Sequence, residues 1–165
     1  MPIFRNKKTW IPLYFLLFFY LIYKTSKKAY IIIPLALASI GLADGISSHI
    51  IKPWIERIRP CNLAEFTLEI TTRVHCGSGF SFPSSHASNH FALATFIGLA
   101  LYDISPWFLR IGLVWAAIIS FAQVYVGVHF PIDVFSGMLL GLSIGFLLKK
   151  VMNVAVKYFI NKTNK

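Results

Sequence analysis

Three cations, two imidazoles, two carboxylates and a pair of serines stand in three short polar stretches of an otherwise apolar chain. The first runs from Lys52 to Arg59 and Pro60, the second is Pro83, Ser84, Ser85 and His86, and the third holds His129, Pro131 and Asp133. Holding and cleaving a phosphate needs these parts: cations for the anionic oxygens, a nucleophile, a proton donor and a carboxylate to orient the nucleophile. Lys52 and Arg59 are seven residues apart, so a helix through both presents them on one face, where both can grip one phosphate. Pro53 fits that helix if it opens a short helical segment at the membrane surface, where its missing N–H is no loss. Arg57 falls off the shared face and reads as an ordinary charge at a helix end, which is also the plain reading of Lys52 and Arg59 taken alone.

Pro83 to His86 immediately precedes an apolar run. It reads as a turn feeding a helix N-terminus, with Ser84 or Ser85 as the cap and with free backbone N–H groups facing an anion. His86 then stands beside that anion. His90, one turn later, has the spacing of a metal pair, but no third ligand follows at suitable spacing and no metal cofactor is expected. Asp133, four residues beyond His129, is placed to accept the Nδ1–H bond of the imidazole, which fixes the tautomer and leaves Nε2 to attack. The plain alternative is a polar pair at a membrane interface.

The elements that position these groups follow from composition. Of 165 residues 56% are hydrophobic and 13% charged, outside the range of soluble globular chains. A single membrane domain over residues 1–165 is expected. The net charge of +10 sits in short clusters beside apolar runs, where it meets lipid headgroups, so no nucleic-acid partner is expected. Nothing resembles a cleavable leader. A crossing of about 30 Å needs about 20 helical residues, and the candidates are 10–23, 29–51, 87–104, 107–126 and 132–148. Residues 151–160 are too short to span alone and read as an interfacial helix or an extension of the fifth span. Glu65 and Glu69 mark the solvated face of a short loop helix between 62 and 71.

Gly137, Gly141 and Gly145 line one face of the fifth span as a packing stripe. Asp44, within the second span, supports the site or simply adds packing polarity. Cys61 and Cys76 share the longest polar loop; an oxidising compartment lets them bridge, a reducing one leaves two thiols, and spacing does not decide. Five spans put the N-terminus and all three polar stretches on one side. The other side keeps the larger excess of Lys and Arg, which places the polar stretches outside the cytoplasm.

Taken together, the three stretches resemble the type-2 phosphatidic acid phosphatase superfamily of integral membrane lipid phosphatases. Its pattern is Lys-x6-Arg-Pro, then Pro-Ser-Gly-His, then Ser-Arg-x5-His-x3-Asp. Lys52, Arg59 and Pro60 match the first element, Pro83, Ser84 and His86 the second with Ser85 in the glycine position, and His129 and Asp133 the third. Ala122 and Gln123 stand where the family has Ser-Arg, so one family cation is missing, and Arg73 is a candidate substitute. The resemblance implies an all-α polytopic bundle of about five transmembrane helices with a short interfacial helix in the 52–82 loop. It implies a metal-independent enzyme that hydrolyses a lipid phosphate monoester or diphosphate: lipid A 1-phosphate, phosphatidylglycerophosphate, undecaprenyl diphosphate or phosphatidic acid. In that chemistry His129 attacks to form a phosphohistidine, Asp133 orients it and His86 protonates the leaving oxygen. Lys52, Arg59, Ser84, Ser85 and Gln123 hold the phosphate. The implied location is the bacterial inner membrane, with the site facing the periplasm or outside. The rival from another class is a non-catalytic lipid-phosphate binder, which Gln123 favours; a transporter is disfavoured because the polar groups lie at span ends and no repeat is present.

Overall fold

The structure, a computed structural model, describes Ile3 and residues 7–63 and 74–163, with side chains over 8–63 and 74–159. Its main helices are α1 (Ile11–Thr25), α2 (Ala29–Gly45), α3 (Ser85–Ala100), α4 (Trp107–Tyr125) and α5 (Pro131–Thr163), and no strand occurs among the described residues. Three helical stretches are long and apolar enough to cross a membrane: Lys8–Ile55, Trp107–Tyr125 and Pro131–Phe159. The first contains two helices, because Ser26 takes a left-handed φ of 46° between α1 and α2. Side chains from both, among them Leu17, Leu21, Ile33 and Ile40, line one groove, so the chain folds back on itself there. The tail beyond 150 continues α5 without a break, which makes it an extension of the last span.

Only 16 residues long, α3 sits at the centre and packs against α2, α4 and α5. Ala87, Ala92, Leu93, Ala94, Phe96 and Ile97 are all buried, as expected of a helix apolar on every side. Large apolar side chains such as Phe15, Leu16, Phe19, Leu37, Ile111, Val114 and Phe146 are exposed on the outer helices. Such an apolar exterior suits hydrocarbon.

The glycine stripe of α5 is what brings it onto α3. A Cβ added at Gly137 would stand 2.5 Å from the Ser84 carbonyl, one at Gly141 would collide with the Ser88 carbonyl, and one at Gly145 would stand 2.6 Å from Thr95 Cβ. Backbones therefore touch along the whole seam, as small residues permit between membrane helices. Both sets of numbers rise together, so α3 and α5 run parallel and start at the same end of the bundle.

The segment after α2 departs from the sequence expectation. A π-helical turn, Ile46–Ile51, leads into one more helical turn, Lys52–Ile55, with Pro53 near its start. Glu56 then takes left-handed angles (φ 53°, ψ 28°) and ends the helix. Arg59 is extended (φ −70°, ψ 148°), as a residue before proline is bound to be. Lys52 and Arg59 thus do not share a helical face. The loop helix expected between 62 and 71, with Glu65 and Glu69, lies largely outside the described residues, as does Arg73. Cys61 and Cys76 form a disulfide with a Cα–Cα distance of 6.0 Å, closing that loop at its base.

Candidate active site

Each polar stretch is delivered by the end of a helix or by a pinned turn. Ser84 caps α3, accepting a bond from the Ala87 N–H at 3.5 Å, and its own N–H donates to the Asp133 carbonyl at 2.9 Å. That backbone bond ties the start of α3 to the start of α5. The third stretch arrives through a tight reversal after α4. Gly127 takes φ 77°, while the Gly127 and Val128 N–H groups donate to the Val124 and Gln123 carbonyls at 2.9 and 3.2 Å. This is a Schellman-type ending, which needs a glycine at the left-handed position. It turns Val128 and His129 back toward Arg59.

His129 and Asp133 are both buried. Nδ1 of His129 faces Oδ2 of Asp133 at 3.5 Å, and among the described residues nothing comes within hydrogen-bonding geometry of it. The same Oδ2 accepts the Phe130 N–H at 2.9 Å, which fixes the carboxylate. On the other edge of the ring, Nε2 lies 3.3 Å from Nη1 of Arg59. A guanidinium can only donate, so Nε2 carries the lone pair and Nδ1 carries the proton. That is the tautomer a nucleophile at Nε2 requires. Burial pushes the His129 pKa below the ordinary value of 6.5; Asp133 pulls upward, Arg59 and Lys52 push downward, and the net direction is down.

Arg59 is itself held by the Gly79 carbonyl (Nε, 3.1 Å) and the Val128 carbonyl (Nη1, 3.3 Å). Ser81 pins the chain beside it, its N–H donating to the Arg57 carbonyl at 2.7 Å. Lys52, at the start of the helical turn Lys52–Ile55, lies close enough to act electrostatically on His129. His86 is half-buried on the first turn of α3, its ring parallel to that of His90 at 6.4 Å. His90 bonds the His86 carbonyl through Nδ1 at 2.7 Å and packs on Trp115, so its ring belongs to the helix seam. Among the described residues no cluster of three His, Cys, Asp or Glu is placed to hold a metal.

The structure narrows the readings of Ser85 and Asp44 and corrects that of Arg57. The Ser85 hydroxyl is turned toward the π-helical turn after α2, meeting Ser47 at 3.0 Å and Ser48 at 2.9 Å; Ser85 therefore offers an anion its backbone and spends its hydroxyl on the helix seam. Asp44 bonds Nδ2 of Asn89 at 3.1 Å, so its polar role is to join α2 to α3. Arg57, read as a peripheral charge, places Nη1 3.1 Å from Oδ1 of Asp133 and lies over the Phe130 ring at 4.4 Å. The missed signal was Pro60. It biases Arg59 to extended backbone, which breaks the helical spacing from Lys52 and leaves the place of Arg57 open. Gln123 is fully buried on α4, and neither atom of its amide has a hydrogen-bond partner among the described residues.

The PAP2 superfamily profile matches residues 29–157. Similar chains include a lipid A 4'-phosphatase of Bacteroides thetaiotaomicron, 31% identical over 86% of this chain and 63% of its own length. An undecaprenyl-diphosphatase of Sulfolobus acidocaldarius is 30% identical over 84% of this chain and 61% of its own. The chain thus spans about three-fifths of these relatives' length. The crystal structure of a transmembrane PAP2-type phosphatidylglycerolphosphate phosphatase from Bacillus subtilis superposes with a TM-score of 0.68 at 28% identity, covering 91% of this chain and 73% of that one.

Proposed function

Given that the chain belongs to the PAP2 superfamily, we propose that it is a metal-independent membrane lipid phosphatase working through a phosphohistidine. The observation that carries this reading is the poised imidazole, with Nδ1 toward buried Asp133 and Nε2 toward Arg59. Nε2 of His129 attacks phosphorus, the bond to the leaving oxygen breaks, and His86 gives that oxygen its proton. Water then attacks the phosphohistidine, His86 takes the proton back, and inorganic phosphate and free His129 are restored. Lys52, Arg59, the Ser84 hydroxyl and the N–H groups at the start of α3 hold the oxygens. Gln123 contributes neutral amide donors where the family arginine would bring charge.

The substrate is a lipid phosphate monoester or diphosphate. Lipid A phosphates come first in the panel, since two relatives that match most of this chain are lipid A 4'-phosphatases. Phosphatidylglycerophosphate, undecaprenyl diphosphate and phosphatidic acid complete it. A groove of about 380 Å³, lined by Leu17, Leu21, Ile33 and Leu93, carries Asn89 and His90 one turn from His86 and offers the hydrocarbon chain a path. We place five helices across the bacterial inner membrane, with the site facing the periplasm or outside. A disulfide in the loop that carries Arg59 supports an oxidising compartment on that side.

The test is phosphate release by the purified protein in chelator across that panel. No release from any of the lipids would favour a lipid-phosphate binder, the reading that the unpartnered amide of Gln123 supports. Gln123→Arg in the same assay is expected to raise kcat/KM by about tenfold or more, since one charge-assisted contact is worth about 1.5–3 kcal/mol. Loss of activity instead would place Gln123 outside the phosphate site.

The pH profile should carry the signature of the buried imidazole. A lowered pKa keeps Nε2 unprotonated as the solution acidifies, so the acid limb of kcat/KM should lie below 6.5. An acid limb above that value would contradict His129 as the nucleophile in this environment.

A further inference from the structure

The chemistry above gives Arg57 no part, yet its side chain is bound to the fully buried carboxylate of Asp133. We propose that Arg57 is a positioning residue for the nucleophile: it fixes Asp133 as an ionised carboxylate and thereby sets the proton affinity of His129. The inference rests on the phosphatase reading of the site.

Asp133 is shared edge by edge. Oδ1 takes the Arg57 guanidinium at 3.1 Å, while Oδ2 faces His129 at 3.5 Å and accepts the Phe130 N–H at 2.9 Å. Arg57 is in turn fixed at both ends. Its guanidinium lies over the Phe130 ring at 4.4 Å, and its carbonyl accepts the Ser81 N–H at 2.7 Å and the Ser81 hydroxyl at 3.1 Å. A carboxylate taken out of water needs a cation in contact. Arg59 is spent elsewhere, with Nη1 on Val128 and His129 and Nε on Gly79, so the contact falls to Arg57.

The charged groups facing His129 are Asp133 from α5, Arg59 from the loop before Pro60 and Lys52 from the helical turn Lys52–Ile55. A bound phosphate draws on the last two. Arg57 stays with Asp133 throughout, keeping the carboxylate from pulling a proton onto the imidazole. Without Arg57 the bare carboxylate binds the imidazolium more strongly, so His129 holds its proton to higher pH and the free nucleophile becomes scarcer.

The experiment is a titration of 15N-histidine-labelled protein in detergent by NMR, with the His129 signal assigned by its loss in H129Q. Arg57→Gln is expected to raise the His129 midpoint by about half to one pH unit, less than a fully buried pair would give because the Arg57 side chain is 37% exposed. It should move the acid limb of kcat/KM upward by the same amount, and Arg57→Lys should restore most of the midpoint. A midpoint that does not move overturns the proposal, as does a fall in kcat equal at every pH, which is what a purely structural strap would give. In the Asp133→Asn background no bare carboxylate is left, so the double variant does not depend on Arg57 for folding; there Arg57→Gln should add no further shift, and an added shift of the same size would also overturn it. The midpoint is read without turnover. An inactive wild type would therefore refute the phosphatase reading while the shift still decides the role of Arg57.

Discussion

Replacing His129 by alanine is expected to lower kcat/KM for the lipid substrate by at least about 10⁴-fold, in line with the loss of a covalent nucleophile elsewhere. That factor corresponds to about 5.5 kcal/mol of transition-state stabilisation. The reason is geometric: Nε2 faces Arg59, and the other ring nitrogen, Nδ1, faces Asp133 at 3.5 Å. His90 is not placed to take over, since it is bound into the α3 seam by the His86 carbonyl and Trp115. Rapid quench with a 32P-labelled lipid should show an acid-labile phosphoprotein in the wild type and none in the variant. Retention of more than about a tenth of the activity would sink His129 as nucleophile. Binding should survive, because Lys52, Arg59 and the start of α3 are untouched.

Gly141→Leu should be the most damaging change far from the chemistry. An added Cβ there meets the Ser88 carbonyl, with the Ala92 N and Phe91 Cβ both at 2.8 Å. Backbone atoms cannot step aside as a flexible side chain does, so α3 and α5 must part. Overpacking usually costs about 1–3 kcal/mol, and contacts on backbone should put this variant at or above the top of that range. Thermal unfolding in detergent should show a melting point well below that of the wild type. Activity should fall with it, since Ser84 and His86 ride on α3 while His129 and Asp133 ride at the start of α5. Gly41→Ala is the matched control: nothing lies within 4 Å of its added Cβ, and replacing a helical glycine by alanine is neutral or favourable by up to about 1 kcal/mol. A Gly141→Leu protein that melts like the Gly41→Ala protein would refute the close-seam account.

Much of the site could be read from the sequence because its logic is local. The His129–Asp133 pair is four residues apart at a helix start, Ser84 caps the helix it precedes, and the glycines of α5 repeat with helical period. What could not be read depends on long-range contact or on a single backbone angle. Arg57 finds Asp133 across 76 residues, and no periodicity encodes that. The shared face expected for Lys52 and Arg59 was lost at one residue, Glu56, whose left-handed φ ends the helix. The place of the Ser85 hydroxyl is not legible, because the π-helical turn that brings Ser47 and Ser48 to it has no composition signal. Cysteine spacing left the disulfide open because loop conformation alone decides whether the two Cβ atoms meet.

The parallel run of α3 and α5 has an electrical consequence. Each helix carries the equivalent of about half a positive charge at its N-terminus, and the Ser84–Asp133 backbone bond holds the two ends side by side. One end stabilises the Asp133 carboxylate that caps it; the other is left for the incoming anion. This part of the potential belongs to peptide groups. It neither titrates nor depends on which side chain occupies position 123, and it gives the site a floor of positive field beneath whatever lysine and arginine add.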